Sequence, residues 1–187
     1  MRALRVSTWW FLTLVAVMTP SAYAELRISD LDVFLNDHDI TVHVVLLGTV
    51  PEPFLESIHI GIPAHVRFTI ELWQYRRLQT DRLVVSRQLE RTLTYNVVTK
   101  EYKVTAVKGE TRPVYTTREL RDAQRVLSDA RAAKLAAAAS LDPADVIYVR
   151  VKAETALNGE NTFFTRMAGH AEQVVIQSDY RTITRVQ

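Results

Sequence analysis

The side chains able to hold a metal ion in this 187-residue chain are five histidines and 21 carboxylates, since there is no cysteine. His59 and His65 flank Gly61-Ile62-Pro63, and His38 stands between Asp37 and Asp39. A zinc site built on neighbouring ligands needs a spacing such as His-Glu-x-x-His, which brings two imidazoles to one helix face; neither group has it. Asp30, Asp32, Asp37 and Asp39 offer the hard oxygens that calcium takes. The turn glycine and bidentate glutamate of a calcium loop do not accompany them. Acidic runs of this kind are ordinary turns. No metal and no other cofactor is expected.

Nucleophilic chemistry has no better footing. The chain contains no Gly-x-Ser-x-Gly elbow, no Ser-x-x-Lys pair and no thiol, and its five glycines form no phosphate-cradling loop. Carboxylate pairs for glycoside hydrolysis are defined by their separation in space, and the sequence nominates none. No catalytic residue is assigned, and the balance leans away from an enzyme.

The strongest binding candidate is a row of Glu71, Trp73 and Tyr75 on one parity of a strand, with Arg67 earlier on that parity and Arg76 and Arg77 directly after it. Aromatic rings beside cations suit sugars, peptides or lipid headgroups. The competing reading is that this parity packs against a second layer with Trp73 in the core, because large aromatics are usually buried.

Those residues need a strand to hold them, and the pattern provides one. Val66, Phe68, Ile70 and Leu72 alternate with Arg67, Thr69, Glu71 and Trp73, as a half-buried strand requires. Leu26–Leu35 and Ile40–Leu47 read as strands around a polar turn, and the Pro51-Glu52-Pro53 start predicts a turn or two of helix over Phe54–His59. A strand from Leu83 to Tyr95 carries Leu89, Leu93 and Tyr95 on one parity, together with Arg87 and Arg91. It continues into a hairpin in which Leu93 faces Val104 and Tyr95 faces Tyr102, the register that buries the apolar residues.

From Thr116 the period changes. Thr116-Thr117-Arg118-Glu119 resembles a capping box, and Leu120, Ala123, Leu127, Ala130 and Ala137 follow at helical spacing, which predicts one long helix ending near Ser140. Strands over Asp145–Thr155 and Val174–Tyr180 close the chain, separated by a break at Asn158-Gly159-Glu160-Asn161 and the apolar Phe163 and Phe164. The expected fold is mainly β: an antiparallel, sandwich-like domain of about seven strands with one long α-helix in the connection between strands five and six. The alternative is one strongly curved sheet wrapped on that helix. A membrane barrel is disfavoured, since Arg87 and Arg91 sit on the apolar parity.

Residues 1–24 are set apart from this domain, which covers 25–187. Arg2 and Arg5 precede an uncharged, largely apolar run, Val6–Met18, and Ala22-Tyr23-Ala24 is a small-x-small cleavage site, the shape of a secretory signal peptide. At about 1.5 Å per residue the run reaches roughly 20 Å, too short for the roughly 30 Å hydrocarbon layer. After cleavage no transmembrane segment is expected. The chain has 23 Lys and Arg against 21 Asp and Glu, and the leader takes two arginines and no acid, leaving 21 against 21. A balanced chain gives no electrostatic reason to bind nucleic acid.

Several of these features occur together in a known family. Gly61-Ile62-Pro63 before a charged strand, Arg76-Arg77 with Asp81, Leu93-Thr94-Tyr95 followed by Thr99-Lys100-Glu101-Tyr102, the expected helix after Thr116, and a closing Val174-x-Ile176-x-Ser178-x-Tyr180 resemble the exported bacterial family called domain of unknown function 4390. This chain has Val174 and Tyr180 where the family tends to carry tryptophans. The resemblance implies a periplasmic protein of the Gram-negative type, often coded near a nitrogen-regulation sensor kinase. It implies no activity and no catalytic residues. Two functions are consistent with all this: a non-catalytic interaction module with a protein partner in the cell envelope, linked to a membrane sensor or an envelope process, or a binder or enzyme for a small envelope ligand such as a glycan or lipid. Nothing in the pattern sets an oligomeric state.

Overall fold

Alternation dictates the strands, and the computed structural model shows which of them pair. It describes residues 25–35, 38–142, 144–157, 173–177 and 181–183. The expected leader, Asp37, the break at 158–161, Phe163, Phe164, Ser178 and Tyr180 lie outside the described residues. In chain order the elements are β1 (Arg27–Leu35), β2 (Asp39–Leu47), α1 (Glu52–His59), β3 (Ala64–Gln74), β4 (Arg82–Asn96), β5 (Glu101–Lys108) and β6 (Tyr115–Thr117). They continue with α2 (Leu120–Ser128), β7 (Asp129–Ala137), β8 (Ile147–Leu157), β9 (Gln173–Gln177) and β10 (Arg181–Ile183).

Two antiparallel sheets result. The small one has the order β1-β2-β7, and the large one runs β10-β8-β3-β4-β5-β6, with β9 also on β8. Their apolar faces feed one cluster: Ile40, Val42, Val44 and Leu46 of β2 join Val66, Phe68, Ile70 and Leu72 of β3 and Val149, Val151 and Ala153 of β8. Each fully buried aliphatic or aromatic side chain contributes about 1.5–3 kcal/mol relative to exposure. Phe54 and Ile58 of α1, three and four residues from Pro51 and Phe54, add the buried stripe of that short helix to the cluster. The Thr155 hydroxyl donates to the buried Thr49 carbonyl at 2.8 Å, so the loop after β2 is fastened without an orphaned polar group.

The β4–β5 hairpin has the expected register, Leu93 opposite Val104 and Tyr95 opposite Tyr102. The tyrosine ring centroids are 4.8 Å apart, and His59 from α1 bonds the Tyr102 hydroxyl at 2.7 Å. Burial pushes that hydroxyl's pKa up. The two rings pack against each other and against the His59 imidazole, with Tyr102 buried and Tyr95 half-buried.

The domain is mainly β and antiparallel, as expected, but ten strands stand among the described residues rather than about seven, and the single long helix does not form. Thr116 and Thr117 belong to β6; α2 begins at Leu120, with Glu119 as its cap residue and no side-chain capping bond. It ends at Ser128, and the alanine-rich half of the predicted helix is β7, paired with β2. Two causes act at that boundary. Arg91 Nη1 donates to the carbonyls of Val126, Leu127 and Asp129 at 2.7, 3.3 and 2.9 Å, taking up the acceptors at the helix end. The edge of β2 then offers a full ladder to residues whose helix propensity alone cannot compete with tertiary pairing. At the C-terminus the expected last strand is β9 over its described residues, and β10 follows as an additional short strand.

Candidate functional site

The face of the large sheet turned away from the core carries the residues singled out in the sequence. Strand β3 places His65, Arg67, Thr69, Glu71 and Trp73 on that face, because Ala64, Val66, Phe68, Ile70 and Leu72 occupy the other. Neighbouring strands supply the flanks: Arg67 lies between Glu90 of β4 and Glu154 of β8, and Glu71 between Ser86 and Arg150.

Electrostatics then divides the row in two. At one end Arg67 bonds Glu90 at 3.2 Å and Glu154 at 3.3 Å. His65 Nδ1 lies 3.6 Å from Glu90, and Lys152 Nζ 2.8 Å from Glu154. Burial, only partly opposed by Glu90, holds the His65 pKa below its ordinary value. Every charge in this group has an opposite neighbour, which leaves little field for a ligand. At the other end the Trp73 indole N–H donates to Glu71 Oε2 at 2.8 Å, and the Arg150 guanidinium stacks 4.8 Å from the Trp73 ring centroid. Trp73 is therefore half-buried on an outer face, not packed in the core.

Beyond Trp73 the chain leaves the sheet. Asp81 fixes the β3–β4 turn by accepting the Arg76 backbone N–H at 3.1 Å and the Tyr148 hydroxyl at 2.7 Å. These bonds, the Tyr148 bond first, hold the Asp81 carboxyl below its ordinary range. The turn projects apolar surface: Leu78 is 93% exposed and Tyr75 52%, with exposed Leu83 at the start of β4 and Val146 just before β8. The Tyr75 N–H bonds the Val146 carbonyl at 2.8 Å, which ties these segments together. Arg77 and Arg82 are exposed around them, and Arg76 bonds Gln79 at 3.3 Å.

Of the six candidate residues, the structure gathers Glu71, Trp73, Tyr75, Arg76 and Arg77 at this end and separates Arg67 into the neutralised cluster. Sequence reasoning missed Tyr148 and Arg150, which reach the site only through β3–β8 pairing, and Leu78, Leu83 and Val146, whose exposure no alternation pattern reports. Among the described residues no group of three or more His, Asp or Glu converges as metal ligands would. No described helix is long and apolar enough to cross a membrane. None of the curated proteins and none of the solved structures matches the chain. Residues 23–181 match the family model described as domain of unknown function (DUF4390), and the chain belongs to that family.

Proposed function

We propose that the protein is an exported, non-catalytic interaction module that docks a protein partner of the cell envelope through the β3–β4 end of its large sheet. The observation that carries this is the cluster of exposed Tyr75, Leu78, Leu83 and Val146 set among Arg76, Arg77 and Arg82. Contiguous exposed apolar surface rimmed by charge is what a partner surface presents. The leader-like residues 1–24 support a periplasmic location. A membrane protein such as the outer part of a sensor is the partner class, with acidic groups facing the arginines. We read the two sheets as the layers of a sandwich, since both contribute to one core. The alternative, a binder or enzyme for a small glycan or lipid, gains less support, because the polar groups near Trp73 are spent on one another: Glu71 on the indole, Arg150 on its face.

A photo-crosslinking residue placed at Leu78 in living cells tests the reading. A discrete protein adduct is expected that disappears when Arg77→Glu is added. Absence of any adduct at both Leu78 and Tyr75, with the protein correctly exported, would overturn it.

A further inference from the structure

Where β7, the edge of the small sheet, passes the β4–β5 hairpin of the large one, a groove of about 720 Å³ opens between the layers. Its volume falls within the range of small-ligand sites, roughly 300–1,000 Å³. Arg87 and Lys108 stand on the large-sheet wall and Arg131 and Lys134 on the small-sheet wall. The one acid lining it, Glu110, has both oxygens engaged by buried Arg91. Its charge is thereby cancelled within the floor. Arg131 is steadied by Asp129 at 2.6 Å and Lys134 by Asp39 at 2.8 Å, while Lys108 bonds only the neutral Gln88 amide, at 2.7 Å. The Arg87 side chain makes no ion pair or hydrogen bond among the described residues. The large-sheet wall therefore carries two cations with no carboxylate partner among the described residues, and the small-sheet wall adds two donors whose charge is offset by Asp129 and Asp39.

Gly109 keeps the floor of this groove low. Its φ is +82°, and a Cβ there would stand 2.0 Å from the Gln88 carbonyl oxygen. Only glycine allows β5 to close on β4 at that point, which brings Lys108 alongside Arg87's strand.

We infer that this groove binds a phosphate-bearing anion of at least two negative charges, clamped between Arg87 and Lys108 on one wall and Arg131 and Lys134 on the other. The guanidinium forks and ammonium donors suit an oxyanion with several acceptor oxygens better than a monocarboxylate, which has too few to bridge both walls. The site is independent of the β3–β4 docking end. A lipid headgroup and a soluble phosphate ester share this chemistry.

The test is titration of the full exported chain with inorganic triphosphate by calorimetry, in parallel with co-sedimentation on phosphatidylglycerol vesicles and on neutral phosphatidylcholine vesicles. Binding of triphosphate that weakens with salt is expected, as screening requires. The double variant Arg87→Gln/Lys108→Gln should lose about tenfold or more in affinity, since charge-assisted hydrogen bonds are removed. Arg131→Gln/Lys134→Gln should do the same from the other wall, and Arg76→Gln/Arg77→Gln should leave affinity unchanged. Phosphatidylglycerol binding with the same dependence on Arg87 and Lys108 would identify a lipid source; triphosphate binding without it, a soluble one. No binding in either arm, or equal binding by wild type and both groove variants, would overturn the proposal.

Discussion

Arg67 and Arg91 stand on adjacent strands of one sheet, each bonded to glutamate, and they behave as opposites. Arg67 faces outward, 25% exposed, and shares Glu90 and Glu154 with His65 and Lys152. Arg91 faces inward, 0% exposed, with its guanidinium 5.7 Å from the Phe68 ring centroid, its fork on Glu110 and one nitrogen on three carbonyls at the α2–β7 boundary. Water and redundant partners buffer the first. The second is shut off from water, so removing a partner from it leaves a buried charge or acceptor uncompensated and destabilises the fold. Arg91 also links the two sheets: it starts on β4 of the large sheet and bonds the segment entering β7 of the small one. Two arginines with similar bonds thus do different work, one balancing a surface and one linking the two sheets.

The comparison is tested most severely at Arg91. Arg91→Ala leaves Glu110 only the longer 3.8 Å pair with Arg112 and takes the Arg91 donor from the carbonyls of Leu127 and Asp129, and should cost about 3–5 kcal/mol, read as a lowered urea midpoint at pH 7. Arg91→Lys should rescue little, because an ammonium cannot form the fork and reach the carbonyls together. A loss under about 1 kcal/mol for Arg91→Ala would make the two arginines equivalent and end the distinction. Glu110 comes next. Burial raises its pKa, but the Arg91 bond and charge, with the charge of Arg112, outweigh that and hold it below the ordinary 4.5. A carboxyl depressed by folding stabilises the native state above the unfolded value, and that contribution is lost as pH falls through the folded one. Glu110→Gln should therefore cost about 2 kcal/mol at pH 7 and flatten the acid limb of a stability-versus-pH curve. An acid limb identical to wild type would show that the floor pair carries no linkage.

The same inward arginine marks what the sequence could and could not reveal. Alternation was enough to place Leu93 against Val104 and Tyr95 against Tyr102, because from Arg91 to Asn96 the hairpin keeps period two, its one register shift falling earlier, between Glu90 and Arg91. It also put Arg91 on the apolar parity between Leu89 and Leu93, the one available sign of a buried cation. Strand β7 was illegible for a physical reason. Its register against β2 shifts twice, between Ile40 and Thr41 and between Val42 and Val44, each time with an extra residue on β7. Buried Ala130 and Leu135 therefore fall on opposite parities, and an alanine-rich run without alternation reads as helix. The groove was hidden by the same error, since Arg131 and Lys134 lie on β7. Of the candidate surface, Glu71, Trp73 and Tyr75 were legible on one strand, whereas Arg150 and Tyr148 arrive from β8, more than 70 residues later in the chain, through pairing that no local pattern encodes.

The smallest effects belong to Arg67 and sharpen the contrast from its other side. Arg67→Ala leaves Glu90 beside His65 and Glu154 beside Lys152, so no carboxylate is orphaned and the loss should stay within about 1 kcal/mol. The informative readout is the His65 imidazole. Its pKa is lowered from 6.5 by burial first, raised in part by Glu90, and lowered further by the Arg67 charge. A histidine depressed in the fold favours the native state above pH 6.5, and that advantage declines as pH falls toward the folded value. Without Arg67 one lowering influence disappears and Glu90 is left to His65 alone. Its titration followed by NMR should then move up toward the ordinary value, and the stability loss below pH 6.5 should shrink. Were the His65 titration unmoved in Arg67→Ala, the outer cluster would not be an electrostatic unit at all. The contrast with Arg91 would then rest on burial alone.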